Sequence, residues 1–81
     1  MFYIYFLQSV KDKGLYIGRT NNLKRRFIEH NSGCVSCTKS RRPFVLLGCK
    51  TCENLSQAIE LEKEWKKGYK REELKIKYNI K

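Results

Sequence analysis

The sequence predicts one α/β (α+β) domain, and three observations carry that reading. Aromatic and β-branched runs at Phe2–Leu7, Leu15–Gly18 and Phe44–Leu47 have the composition of strands. Two other segments place apolar residues at helical spacing, each opened by an Asn suited to capping. The chain has 81 residues, 41% of them hydrophobic, which suits one small core.

The elements follow in order. Phe2–Leu7 puts Tyr3, Tyr5 and Leu7 on one face and Phe2, Ile4 and Phe6 on the other. Its apolar start lacks a basic leader region and a cleavage site, so it reads as a strand and not a signal peptide. Asp12-Lys13-Gly14 signals a turn, and Leu15–Gly18 returns, with a bend expected at Gly18. A connecting loop with an even number of residues would set Tyr5 and Tyr16 on the same face.

Asn21 or Asn22 caps a helix from Leu23 to about Ser32, and Gly33 supplies its left-handed exit. Leu23 and Phe27 mark the buried face, with Arg26 and His30 on or beside it; Lys24, Arg25 and Glu29 point away. A basic loop follows (Lys39, Arg41, Arg42) and ends at Pro43. Phe44–Leu47 is wholly apolar, as a central strand covered on both faces would be. Asn54 or Ser56 caps a second helix through Ala58, Leu61 and Trp65 towards Tyr69, and Glu62 shares their arc. A carboxylate on that stripe needs a cation, either a divalent metal or Arg26. Residues 68–81 read as a short helix or a loosely docked basic tail.

The net charge of +10 points to a polyanionic partner, above all nucleic acid. No apolar run approaches a membrane span, and nothing calls for an organic cofactor. The cysteines form two pairs, Cys34-x2-Cys37 and Cys49-x2-Cys52. In an intracellular protein that spacing suits structural Zn2+; free thiols and disulfides are the other readings. A zinc site requires the chain to turn at Lys50-Thr51, because residues three apart in a strand face opposite sides.

The acidic residues limit any hydrolytic chemistry. Two-metal nucleases need several convergent carboxylates. Asp12 sits in a turn, Glu29, Glu60 and Glu64 face away, and Glu72-Glu73 fall in the tail, which leaves Glu62 alone pointing inward. A phosphodiesterase built on this chain would use one metal and one protein carboxylate.

Tyr3-Ile-Tyr5, Tyr16-Ile-Gly18, Asn22-Leu-Lys-Arg-Arg26, His30-Asn-Ser-Gly33, Pro43 and Ala58-x3-Glu62 together resemble the GIY-YIG nuclease domain. Tyr3 stands in the slot of the first motif's Gly, as in small stand-alone members with a Tyr-x-Tyr strand. The resemblance implies a central three-stranded antiparallel sheet flanked by helices. It also implies endonucleolytic cleavage of DNA with one Mg2+ or Mn2+, in repair, recombination or mobile-element processing.

Its implied roles are residue by residue. Tyr5 and Tyr16 position or deprotonate the attacking water, and His30 assists the base. Arg26 stabilises the scissile phosphate, Glu62 holds the metal, and Arg19 contacts phosphate. Where some members carry an Asn about twelve residues after the Glu, this chain has Leu74. Lys24, Arg25, Lys39, Arg41 and Arg42 are expected to bind nucleic acid. A partner protein or homodimer would supply targeting. Two rivals remain: a non-catalytic basic, zinc-stapled nucleic-acid-binding module, and a scaffold whose Cys motifs recruit a protein.

Overall fold

The computed structural model describes residues 1–79. Strand β1 (Phe2–Ser9) is central, with β2 (Leu15–Thr20) and β3 (Phe44–Cys52) antiparallel on either side, in the order β2-β1-β3. Helix α1 (Leu23–Ser32) lies between β2 and β3 in sequence, and α2 (Leu55–Trp65) and α3 (Gly68–Lys77) follow. This is the fold class expected from the sequence.

Alternation along β1 divides the molecule. Ile4 and Phe6 join Leu15, Ile17, Cys52, Ala58 and Leu74 in one apolar cluster, on the side covered by α2 and α3. Tyr5 and Leu7 join Phe44 on the other side, where Tyr16, Leu23 and Phe27 pack against them. Gln8 pairs with Leu15, so the even stretch Ser9–Gly14 connects them and Tyr5 and Tyr16 do share a face.

Asn22 caps α1 by accepting from the Arg25 N–H, and Gly33 ends it at φ 86°. Asn54 caps α2 in the same manner. Helix α1 is fastened to the sheet by Asn31. Its Nδ2 donates to the Phe44 carbonyl at 3.1 Å, and its Oδ1 accepts from the Phe44 N–H at 2.6 Å. The clip fixes the last turn of α1, and with it His30, against the start of β3.

Three expectations are corrected. Residues Phe44–Leu47 are not a covered central strand: β3 is an edge, nine residues long, with Val45 and Leu46 exposed. A bulge opposite Phe6 and Leu7 redirects Leu47 towards the α2 side. Strand β2 runs through Gly18 without a break. The second helix stops at Trp65, so Tyr69 belongs to α3 and is exposed. Of the two readings of the tail, the short helix is the one found as far as it is described: α3 buries Leu74 to 1% exposure, and Tyr78 after it lies over Gly48. Leu74 belongs to the apolar cluster on the α2 side of the sheet. Residues 80 and 81 of that tail lie outside the described residues.

Asn31→Ala removes both clip bonds and leaves the Phe44 amide without its partner. The expected loss is about 1–3 kcal/mol, read as a lower urea midpoint at unchanged m-value.

Candidate active site

The site begins with Tyr5, whose position on the central strand buries it to 2% exposure. Its ring lies directly over Gly18: a Cβ on that residue would overlap the Tyr5 hydroxyl and Cζ. Glycine is required there for space and not for a turn. A buried phenol needs a hydrogen-bond partner, and His30 supplies it, with Nε2 2.9 Å from the Tyr5 oxygen. His30 is the only residue of α1 that is fully buried.

Tyr16 completes an aromatic cluster. Its ring centroid is 6.3 Å from Tyr5 and 4.9 Å from His30, and Phe44 closes the far side of the imidazole at 6.0 Å. The Cys37 thiol points at the Tyr16 hydroxyl, 3.8 Å away. On the other imidazole nitrogen, Nδ1 stands 2.8 Å from Thr38 Oγ1.

These contacts shift acidities. Burial raises the Tyr5 phenol, and the Arg26 charge beside it partly offsets that rise. Burial also raises Tyr16, with the Cys37 contact and Tyr5 adding to the effect. His30 is lowered, first by burial and then by Arg26, so the imidazole is neutral at pH 7. Tyr5 in turn holds Arg26 above its ordinary range. Arg26 is half-buried and pairs with Glu29 at 3.3 Å. A neutral imidazole is thus set against a phenol that does not ionise unaided.

Glu62 lies elsewhere on the fold. It projects from α2, and by strand alternation Arg19 faces that same side of the sheet. One carboxylate oxygen pairs with Arg19 and the other with Lys66 Nζ at 3.0 Å. Burial pushes the carboxyl up, but the pairs with Lys66 and Arg19 outweigh it and the net shift is downward. Glu62 is therefore ionised, and its partner is not Arg26.

Two grooves follow the outer edge of β2. One, of about 350 Å³, is lined by Tyr16, Lys66 and Arg71 among others. The next, of about 370 Å³, is lined by Arg19, Arg25, Arg26 and Glu29. The site straddles this edge, with Tyr5, Tyr16 and His30 on one side of the sheet and Glu62 on the other.

The remaining candidates divide. Lys24, Arg25, Lys39 and Arg42 are exposed. Arg41 is occupied, since its Nε donates to Asp12 Oδ2 at 2.8 Å and its guanidinium sits over Phe44 at 5.7 Å. That pair holds the Asp12 carboxyl down to about 2. The four cysteines do not build a zinc site. Strand β3 continues through Lys50 and Thr51, so Cys49 is exposed opposite Tyr5 while Cys52 is buried in the opposite core. Among the described residues, no three His, Cys, Asp or Glu side chains come together around one point. Two contributors escaped sequence reasoning. Lys66 was signalled by its i, i+4 spacing from Glu62; Thr38, a single Thr in a basic loop, carried no pattern.

A profile of the GIY-YIG catalytic domain matches residues 1–79. The chain belongs to the GIY-YIG catalytic domain family. A UPF0213 protein of Syntrophus aciditrophicus is 40% identical over 76 residues, covering 91% of this chain and 86% of the relative. One from Clostridium perfringens is 38% identical, covering 94% and 82%. The solution NMR structure of a UPF0213 protein from Bacillus halodurans aligns with TM-score 0.56 and 33% identity, covering 91% of this chain and 82% of that one. The domain is thus of a nuclease family, in a branch of small GIY-YIG proteins. No described helix is long and apolar enough to cross a membrane.

His30 also sets a pH dependence. Its folded pKa lies below the ordinary value of about 6.5, so the unfolded chain binds the proton more readily. The stability it contributes is complete above about pH 6.5 and falls as pH drops through the folded value. Urea midpoints across that range should decline in the native chain and decline less in His30→Gln.

Proposed function

We propose that this protein is a DNA endonuclease that hydrolyses phosphodiester bonds with the help of one Mg2+ or Mn2+. The observation that supports it best is the buried Tyr5–His30 hydrogen bond, with Tyr16 against the same imidazole and Arg26 at the phenol. A plain binding surface has no use for a neutral His aimed at a buried phenol.

The chain's own residues suggest the following division of work. His30 draws the proton from Tyr5, and the phenolate so formed orients and deprotonates the attacking water. Tyr16 lies across the same imidazole and helps place that water. Arg26, half-exposed in the groove, stabilises the charge that grows on the phosphate. Arg19, Lys24 and Arg25 attract the backbone of the DNA, with Lys39 and Arg42 adding a weaker field.

Glu62 is the group that would hold the metal. A single inward carboxylate beside phosphate-binding cations suits an ion that keeps most of its water shell. Both carboxylate oxygens are engaged by Arg19 and Lys66, two exposed side chains that can turn to a phosphate instead. When bound, the ion would neutralise charge on the phosphate and leaving group. The setting we infer is intracellular DNA processing, whether repair, recombination or mobile-element transfer.

The test is cleavage of labelled branched and linear DNAs in Mg2+ or Mn2+. Arg26→Ala should lower the rate about 10²–10³-fold, and Glu62→Ala should abolish cleavage, with DNA binding kept in both. Cleavage by the native chain in excess chelator would remove the metal from the mechanism. Salt-dependent binding without cleavage of any substrate would leave a binding module in place of an enzyme.

A further inference from the structure

We propose that Thr38 is a positioning residue of this site, whose hydroxyl keeps the His30 proton on Nδ1 and turns the bare Nε2 to Tyr5. The catalytic consequence rests on the nuclease reading above; the proton placement stands on geometry alone.

Thr38 Oγ1 has two neighbours, the Val35 carbonyl at 3.4 Å and His30 Nδ1 at 2.8 Å. A hydroxyl has one proton to give, and a carbonyl can only accept. Given to Val35, that proton leaves an oxygen lone pair facing Nδ1, which must then carry the imidazole proton. In a neutral ring Nε2 is bare, and it accepts the Tyr5 O–H across 2.9 Å. Thr38 and His30 are 0% exposed, so water is not at hand to take the place of either at Nδ1.

The loop is built to hold Thr38 still. Its N–H donates to the Val35 carbonyl at 3.1 Å, and the residue opens the 3-10 turn Lys39–Arg41. Val35 is itself buried. The same loop carries Cys37 against Tyr16. One short segment therefore sets the surroundings of both phenols, although it supplies no group that would touch the substrate.

The direction of the chain decides the chemistry. With Nδ1–H fixed, the Tyr5 O–H bond breaks and an Nε2–H bond forms. The product is a phenolate beside Arg26 and an imidazolium whose Nδ1–H still donates to Thr38. With the opposite tautomer, Nε2 would donate to Tyr5 and could take nothing from it. The charged or titratable groups around His30 are Tyr5 from β1, Tyr16 from β2, and Arg26 and Glu29 on α1; the β3 residue against the ring is the uncharged Phe44, with Cys49 of β3 opposite Tyr5.

The chain has a single His, so its two ring nitrogens can be read without ambiguity in long-range 1H–15N spectra of the 15N-labelled full chain. The native protein at pH 7.5 should show protonated Nδ1 and bare Nε2. Thr38→Val should move the ring to the other tautomer or a mixture, and Thr38→Ser should restore it. In cleavage assays Thr38→Val should lower kcat about tenfold or more with KM little changed, and Thr38→Ser should recover it. A native His30 protonated on Nε2 overturns the inference, and so does a tautomer unmoved in a folded Thr38→Val. The native spectrum decides even where that variant does not fold. A native chain that cleaves no DNA would refute the nuclease reading and leave the proton placement to the spectra.

Discussion

The site depends on one constraint, the burial of a phenol on the central strand. Tyr5 points into the side of the sheet covered by α1, where its ring is buried and its hydroxyl takes a partner within the protein. That need propagates outward. The facing residue of β2 has to be Gly18, since any side chain would occupy the space of the ring. Helix α1 has to deliver a hydrogen-bonding group at its last turn, which fixes its length and demands the Asn31 clip. The imidazole delivered there then needs a partner for its own second nitrogen, and the loop after α1 provides Thr38. The elements on this side of the sheet, and β2 facing them, are committed to serving a single oxygen atom.

Glu62 poses the complementary problem. A carboxylate on an apolar stripe is opposed by burial, and here two cations overcome that opposition and keep it ionised. Neither cation is buried with it, so the arrangement is paired without being locked. Strand alternation puts Arg19 and the following turn on either side of the same edge, so β2 joins the carboxylate half to the phenol half. An edge strand is usually a liability because its unpaired backbone invites association. Here the edge of β2 is lined by two grooves that carry Lys66, Arg71, Arg19, Arg25 and Arg26.

Much of this was legible because it follows from local rules. The two helix caps, the left-handed Gly33 and the shared face of Tyr5 and Tyr16 all depend on residues near one another in sequence. The motif residues were picked out by the same means, spacing and residue type agreeing. What failed was what depends on sheet order. An apolar run such as Phe44–Leu47 reads as covered on both faces, yet β3 takes the free edge and leaves Val45 and Leu46 exposed. The cysteine spacing carried a metal reading only while a turn at Lys50 was supposed. A strand continuing through Cys52 sends the pair to opposite faces, and no spacing rule reports that. Pairings across the fold, Arg19 with Glu62 and Thr38 with His30, were hidden for the same reason: a lone Thr or Arg has no period.

Only part of the excess of cations is free of a local partner. Several acids are already neutralised in place, Asp12 by Arg41, Glu29 by Arg26, Glu64 and Glu73 by Lys70, and Glu72 by Lys75. Exposed pairs of this kind add little stability, and their main effect is to cancel local field. Among the described residues, Lys24, Arg25, Lys39 and Arg42 form no such pair, and they lie on α1 and on the loop that follows it. Lys11 and Lys13 in the β1–β2 turn, Lys50 on β3, Lys63 on α2, and Lys67, Arg71 and Lys77 around α3 are unpaired as well. The uncancelled charge is therefore spread over the surface, and the first four are its share on the segments that carry His30 and Thr38. Those four give a cationic margin to the side of the sheet where the neutral imidazole meets the phenol. Because a paired cation exposed to solvent is free to exchange one anion for another, Arg19 and Lys66 are held at Glu62 without being locked there.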